Sequence, residues 1–373
     1  MPNRAAQLYQ LIRSTKRERA LGTVIFFVTS RCNAKCETCF YHEELNRPGD
    51  LSFEEIERVS RTMPAVTDLW LSGGEPTLRH DASEIIQLFV TNNGVRRVII
   101  PTNGLLKSRT REIVGRALGD NPELHLYLNV ALDGYGETHD RVRGVPGNWG
   151  RTLDCLRALY PLKDLYAERF RLNVNTVVCA ENYAEVGRLA DFLWENFRLD
   201  GHYFNIIRGE AKAGDSIKRV PGEVLPGLYA SAAALTERYA GRMFAAADAA
   251  ARFVKSVAYV GAITTHYRAQ RANFAGPDAW PFPCTAGETT AVIDYDGGVR
   301  ACELRERFAS LRDYGCDFGR LWADAARGGE LAAIGGGESC WCTHVCFIHD
   351  SMRHSRRALL WEVPKNYLTR GSW

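Results

Sequence analysis

Cys32, Cys36 and Cys39 sit close together in the run FFVTSRCNAKCETCFY, just after a short apolar stretch. Three thiolates at C-x3-C-x2-C spacing can converge on one iron–sulfur cluster and ligate three of its four irons. The fourth iron is then open to a substrate or cofactor. The same residues could instead bind zinc or be buried thiols. Zinc favours four closed ligands, and no fourth cysteine stands in register here.

A second run agrees with the first. Asp68–Ser72 (DLWLS) reads as a buried strand leading into Gly73-Gly74-Glu75-Pro76. Glycines let backbone N–H and C=O groups approach a ligand without interference from a Cβ. A lone GGEP is an ordinary turn; after a strand and downstream of the cysteine triplet it reads as a binding loop.

Together, the triplet and the GGEP turn resemble the radical S-adenosylmethionine (SAM) enzymes. The resemblance implies a [4Fe–4S] cluster whose open iron is chelated by the amino and carboxylate groups of SAM. It implies reductive cleavage of SAM to a 5′-deoxyadenosyl radical that abstracts hydrogen from a substrate, the protein supplying position and shielding. By the same resemblance Gly73, Gly74, Glu75 and Pro76 hold the methionine amino end, and an external donor such as flavodoxin or ferredoxin supplies the electron. The family often places an aromatic residue where this chain has Thr38, ahead of Phe40 and Tyr41.

The elements that must position these residues alternate in type. Strands are expected at Val24–Thr29, Asp68–Ser72, Arg97–Pro101, His125–Asp133, Arg171–Cys179 and Tyr203–Ile207. Helices are expected between them, including Ser52–Thr62 behind a capping-type Ser52-Phe53-Glu54-Glu55, Asp81–Asn92 and Tyr183–Asn196. Six β/α repeats imply a parallel sheet with helices outside. The family resemblance makes this α/β fold a partial (β/α)6 TIM-like barrel with functional loops at the carboxyl ends of the strands.

Candidate residues fall at those ends. Thr102 and Asn103 close the third strand and suit cofactor contact or a plain N-G turn. The fourth ends in Ala131-Leu132-Asp133-Gly134, followed by His139-Asp140-Arg141-Val142-Arg143-Gly144. This stretch resembles the "SLDG…HDxxRG" run of radical SAM enzymes with auxiliary-cluster domains, with Ala131 where a serine is usual. Asp133 is a candidate to face the substrate or to cap its own turn. Arg143 is a candidate partner for the SAM carboxylate or for a loop ion pair. On the fifth strand Asn175 is a SAM-contact candidate by resemblance. Cys179 is either a hydrogen-atom donor, as in some radical epimerases, or an inert buried thiol; Cys155 reads as core. Arg208, ending the sixth strand, could bind an anionic group of SAM or substrate.

The pattern changes at residue 211. An alanine-rich helical segment, roughly Leu228–Arg271, is expected to link the barrel to a second module and to cover the substrate opening. Then PCTAGETTAVIDYDGGVRACE reads as a hairpin around Asp296-Gly297-Gly298. The spacing Cys284-x12-Gly297-x4-Cys302 resembles the opening of SPASM and twitch domains, and a later run holds Cys340, Cys342 and Cys346. One auxiliary [4Fe–4S] cluster on Cys284, Cys302, Cys342 and Cys346 is expected, with Cys340 competing for a place and Cys316 spare. A zinc knuckle on the same cysteines, with His344, is the alternative. The expected division is an N-terminal helical arm at 1–20, the core at 21–210, a helical linker at 211–283, a cysteine-rich twitch/SPASM-like domain at 284–350 and a tail at 351–373.

A chain of 373 residues can bury a full core, and its net charge of +3 gives no grounds for nucleic-acid binding. Without a signal peptide or long apolar run, a cytoplasmic protein with no membrane association is expected, its cysteines ligating metal and not forming disulfides. The expected reaction is net oxidation, as dehydrogenation or ring or cross-link formation, of a small-molecule substrate. No leader-binding domain precedes the first strand, though a peptide substrate is possible. The alternatives are a radical epimerase, a ribosomal-peptide-modifying enzyme and a non-catalytic iron–sulfur sensor or electron carrier.

Overall fold

The computed structural model describes residues 19–276, 283–335 and 342–373. Its strands are β1 (Thr23–Phe27), β2 (Asp68–Ser72), β3 (Arg97–Thr102), β4 (His125–Ala131), β5 (Phe170–Val178), β6 (Gly201–Ile206), β7 (Thr290–Ile293), β8 (Gly298–Arg300) and β9 (Arg307–Ser310). All lie in one sheet, ordered β6-β5-β4-β3-β2-β1-β7-β8-β9. The first six are parallel neighbours in chain order. Parallel pairing requires crossovers, and helices supply them: α1 (Phe53–Thr62), α2 (Ala82–Asn93), α3 (Lys107–Asp120), α4 (Glu137–Arg143), α5 (Asn148–Ala158), α6 (Tyr160–Leu165) and α7 (Val186–Asn196). Each strand expected from sequence in the first 210 residues is present, with its ends moved by no more than two residues. Ser52 caps α1 through a reciprocal box with Glu55, at 3.2 and 2.8 Å.

The strand patterns decide which side chains reach the concave face. In β4, Leu126, Leu128 and Val130 are fully buried while Tyr127, Asn129 and Ala131 alternate with them at intermediate exposure. The apolar set joins the main core and the other set turns to the lumen. Asn175 on β5 and Asn205 on β6 border the same lumen.

The alanine-rich segment is two helices, α8 (Leu225–Met243) and α9 (Ala249–Ala275), the second started by Asp248 accepting from Ala251 N at 2.8 Å. These helices do not cover the opening. They pack beside β6, where Phe204 N donates to the Tyr267 hydroxyl at 3.3 Å, and so shield an edge strand. Beyond them come α10 (Phe318–Trp322), α11 (Ala325–Gly335), α12 (Val345–Arg353) and α13 (Val363–Leu368).

The β7–β8 hairpin turns where expected, but β7 also pairs in parallel with β1, so the cysteine-rich module extends the barrel's own sheet. The stretch expected as a tail is folded. Asn366 Nδ2 donates to Thr265 Oγ1 at 2.9 Å, and Arg268 reaches Thr369 and Ser372. The expected N-terminal arm lies outside the described residues except at its end, where Arg19 pairs with Glu288 at 2.9 Å.

Candidate active site

The cysteine triplet occupies the loop at the carboxyl end of β1. Backbone bonds hold this loop from both sides. Lys35 N donates to Arg143 O (3.1 Å) and Glu37 N to Val142 O (2.9 Å), while Lys212 N and Ala213 N donate back to Cys39 O and Glu37 O at 3.1 and 3.0 Å. The GGEP turn crosses the base of the loop, with Gly74 N and Glu75 N each 2.8 Å from Thr29 O and Arg31 O. A Cβ on Gly73 would lie 2.4 Å from Thr29 O, and one on Gly74 would lie 2.3 Å from Arg31 O. These glycines are therefore required for the two motifs to interlock, whatever else they admit.

Glu75 is buried at the cavity wall, and its carboxylate is engaged inside the protein, three bonds falling on Oε1 and one on Oε2. It accepts from Thr77 N (3.1 Å), Thr77 Oγ1 (2.6 Å), Thr102 Oγ1 (2.8 Å) and Asn103 N (2.7 Å). Asn103 in turn donates to Asn33 Oδ1 at 2.7 Å, inside the cysteine loop. The side chains of Glu75, Thr102 and Asn103 thus tie the ends of β2 and β3 to that loop. Asp133 is likewise committed, accepting from Val177 N at 2.7 Å and Arg143 Nη1 at 3.0 Å with no exposed surface. Asp133 lines the cavity and orients Arg143 there.

These residues line one cavity of about 250 Å³, walled by the triplet, Gly73–Pro76, Asn175, Asn205, Arg143 and Arg208. Four buried polar atoms around it have no partner among the described residues: Arg143 Nε, Arg208 Nε, Asn175 Oδ1 and Asn205 Oδ1. An unsatisfied buried group costs about 1–3 kcal/mol. Two cationic donors and two acceptors around one space suit an occupant carrying both anionic and donor groups, as an amino-acid-bearing nucleoside does. Asn205 was not singled out from sequence, although its place two residues from Tyr203 on a lumen-facing alternation was the available signal.

The opposite wall comes from the second module. Glu303, Val345 and Cys346 line the cavity, although Glu303 was not among the sequence candidates. Glu303 sits 3.6 Å from Arg208, whose guanidinium lies over the Phe40 ring at 4.7 Å. His344 Nε2 bonds to Glu303, and His344 Nδ1 accepts from Cys346 N at 3.3 Å. Burial would raise the Glu303 carboxyl, but His344 and Arg208 together hold it below its ordinary value. Both ring nitrogens of His344 are engaged, one by Glu303 and the other by the Cys346 amide. Cys302 belongs to an apolar cluster with Phe27 and Tyr41, and Cys39, Cys284 and Cys346 pack against it. Cys342 is near enough for its charge to act on Cys346. Cys340 lies outside the described residues.

Cys179 does not reach the cavity. β5 ends at Val178, and Cys179 turns into a small apolar cluster with Val142, Ile207 and Ile217. Its backbone is fixed by Asn182 Oδ1 at 2.8 Å, and burial pushes its thiol up to about 12. The epimerase reading therefore loses its hydrogen donor. Cys155 and Cys316 are core residues.

Burial raises all three triplet thiols, Cys32 to about 12 and Cys39 to about 11, while the Arg143 charge opposes the rise. Thiolates in this loop need a bound cation to form. Among the described residues no three His, Cys, Asp or Glu side chains converge on a single metal ion. A cubane cluster carries its irons on separate corners, so its ligands stand farther apart than those of one ion.

Residues 26–193 match the model of the radical SAM superfamily. The chain is 31% identical over 184 residues to an AdoMet-dependent heme synthase of Methanosarcina barkeri, a stretch covering 48% of this chain and 49% of that protein. The chain thus spans about half the length of this curated relative. Among solved structures, anSMEcpe with bound AdoMet shares the fold at TM-score 0.56 and 16% identity, covering 94% of this chain and 95% of that one. Streptococcus suis SuiB bound to its precursor peptide SuiA gives 0.53 at 16%, covering 88% and 71%. Among the described residues no helix is long and apolar enough to cross a membrane. The sequence match and the clamped cysteine loop agree: residues 26–193 are similar to the radical SAM superfamily of enzymes, whose cofactors are a [4Fe–4S] cluster and SAM.

Proposed function

We propose that Cys32, Cys36 and Cys39 hold the SAM-binding cluster and that a substrate sits between the barrel and the second module, to be oxidised by removal of hydrogen. The observation that carries this reading is the shared cavity, with the triplet and GGEP turn on one wall and Glu303 and Cys346 on the other. Bound there, the cluster and SAM supply an electron and a 5′-deoxyadenosyl radical. Arg143, steadied by Asp133, is suited to a carboxylate, and Asn175 and Asn205 to donor groups of the same ligand. Within the Gly73–Pro76 turn, the Gly73 and Gly74 carbonyls and Glu75 Oε2 would take the methionine amino end. Arg208, with one unpartnered N–H, faces the substrate side.

Cys284, Cys302, Cys342 and Cys346 would hold one auxiliary [4Fe–4S] cluster. The apolar cluster touching both Cys39 and Cys346 gives a dry route by which an electron left on the substrate could reach it. An external donor such as flavodoxin or ferredoxin would supply the first electron. On this reading residues 21–210 are the catalytic core, 211–283 a helical insertion and 284–350 the auxiliary-cluster module.

A small-molecule substrate is supported by the heme synthase relative, whose name places it in tetrapyrrole chemistry. A peptide is the second reading, favoured by the fold shared with peptide-bound SuiB. After anaerobic reconstitution, about eight irons per chain and release of 5′-deoxyadenosine under strong reductant are expected. About four irons would remove the auxiliary cluster. Failure to release deoxyadenosine would overturn the reading as a whole. Tight, saturable binding of a precursor peptide would move the substrate to the peptide class.

A further inference from the structure

The cysteine loop is a wall one chain thick. Cys32, Ala34 and Cys36 line the cavity, while Arg31, Asn33 and Lys35, alternating with them, are exposed. The outer face of this wall is basic. Arg31 and Lys35 stand on the loop itself, and Arg47 is brought alongside by Ser30 Oγ, which donates to Arg47 O at 2.5 Å. Lys107 opens α3 just beyond Asn103, whose side chain donates to Asn33 at 2.7 Å. Arg151 on α5 bonds back to Pro146 O at 2.8 Å, close after the Gly144 that packs against Lys35 O. All five cations are exposed, and none forms an ion pair with a carboxylate among the described residues, unlike Lys212, which pairs with Glu37 at 2.8 Å. Asp50 and Asp140, near the same rim, are engaged by Thr29 and Ser30 and by the Gly147 and Trp149 amides. Lys107 is the more telling for its place. It is the first residue of a helix with no acidic residue in its first turn and no side-chain cap. The helix dipole disfavours a cation there by about 0.3–1 kcal/mol. Folding gives no reason for that charge, and an anionic partner does.

We propose that the face formed by Arg31, Lys35, Arg47, Lys107 and Arg151 docks an acidic one-electron carrier protein, and that electrons for the triplet enter there. The proposal rests on the radical SAM reading above and gives its external donor a place to bind. A cavity of about 250 Å³ admits no protein, so a protein donor has to meet the loop from outside. One electron leaves the reduced carrier and crosses the loop to the oxidised metal centre on its inner side. No bond forms or breaks and no proton moves. Exposed cations without acidic neighbours draw an anionic protein from a distance, raising encounter rates by roughly 10- to 1000-fold, and salt screens the attraction.

Titration calorimetry of reconstituted enzyme with purified flavodoxin, an acidic carrier, tests the face directly. The Kd should rise at least roughly tenfold between low salt and about 0.3 M salt. Lys35→Glu combined with Lys107→Glu should weaken low-salt binding about tenfold or more, whereas Lys255→Glu, an exposed position on α9, should leave it unchanged. Deoxyadenosine release driven by limiting flavodoxin should fall in step with affinity. Release driven by dithionite, which needs no docking, should stay at the parent level. If the double variant loses its iron, Lys107→Gln, outside the loop, carries the test with a weakening of about threefold. Affinity indifferent to salt and equal in the variants, with dithionite-driven release intact, would overturn the docking face alone. No deoxyadenosine from the parent enzyme with dithionite would overturn the radical SAM reading and the face with it.

Discussion

The two cysteine groups are built in opposite ways. Cys32, Cys36 and Cys39 belong to one loop, fixed by backbone bonds to Val142, Arg143, Lys212 and Ala213 and by the crossing at Gly74. Cys284, Cys302, Cys342 and Cys346 come from three separate segments, and side chains gather the segments. Asp350 on α12 accepts from Thr285 at 2.7 Å, from Thr23 at 3.3 Å and from Thr289, tying the Cys284 region, β1 and the helix after Cys346 together. Arg353 reaches Asp68 at 2.6 Å. The first site depends on one loop clamped by backbone bonds, and the second depends on a buried side-chain network whose loss should leave the first standing.

The largest effect that would break this contrast is expected at the triplet. Cys36→Ala should abolish deoxyadenosine release and remove about four irons, leaving the other group loaded, as read by iron analysis. Next comes Gly74→Ala, whose methyl would collide with Arg31 O and C at 2.3 and 2.6 Å. Deoxyadenosine release should fall by at least roughly tenfold, about 1.4 kcal/mol or more of misplacement, whereas Gly150→Ala, with open space around it, should be silent. Asp350→Ala removes the shared acceptor of three buried hydroxyls, of which Thr285 and Thr289 keep a second partner in Ser351 Oγ and Thr285 O, and should lower stability by about 1–3 kcal/mol. It should cost the auxiliary irons while SAM cleavage persists; retention of all irons would show that Asp350 does not organise the second site.

A smaller effect follows from acid. Burial holds His139, His202 and His266 down to about 3 and His349 to about 4. Each is neutral when folded but binds a proton when unfolded below about 6.5. The unfolded state therefore holds more protons in that window, and stability should fall as pH drops from about 6.5 toward 4, by up to about 1.4 kcal/mol per unit for each histidine. Urea midpoints at pH 8 and 5 measure this; a flat profile would mean the four histidines are solvated. The smallest effect is expected for Cys179→Ala, which should leave deoxyadenosine formation within about twofold, well under 1 kcal/mol. Its loss would return the thiol to the cavity.

What could be read from sequence follows the same division. The triplet, the GGEP turn and the six strand–helix repeats were legible because each is a local pattern of spacing or periodicity. The structural role of the Glu75 side chain was not legible, because its bonds come from Thr77 and from the end of β3. Cys179 was misplaced toward the mouth because alternation was carried one residue beyond the end of β5. Glu303 was missed because nothing near Cys302 announces that Arg208 and His344, distant in the chain, will close around it. The course of α8 and α9 depended on an edge strand whose exposure only the assembled sheet reveals.

The ladder between β7 and β1 has a mechanical corollary. Four consecutive residue pairs, from Thr23 with Thr290 to Phe26 with Ile293, join the wall bearing Cys346 to the strand that launches the cysteine loop. The second module therefore cannot part from β1 without unzipping a strand. Adaptation to a new guest would have to come from the loops around the rim, with the frame left unchanged.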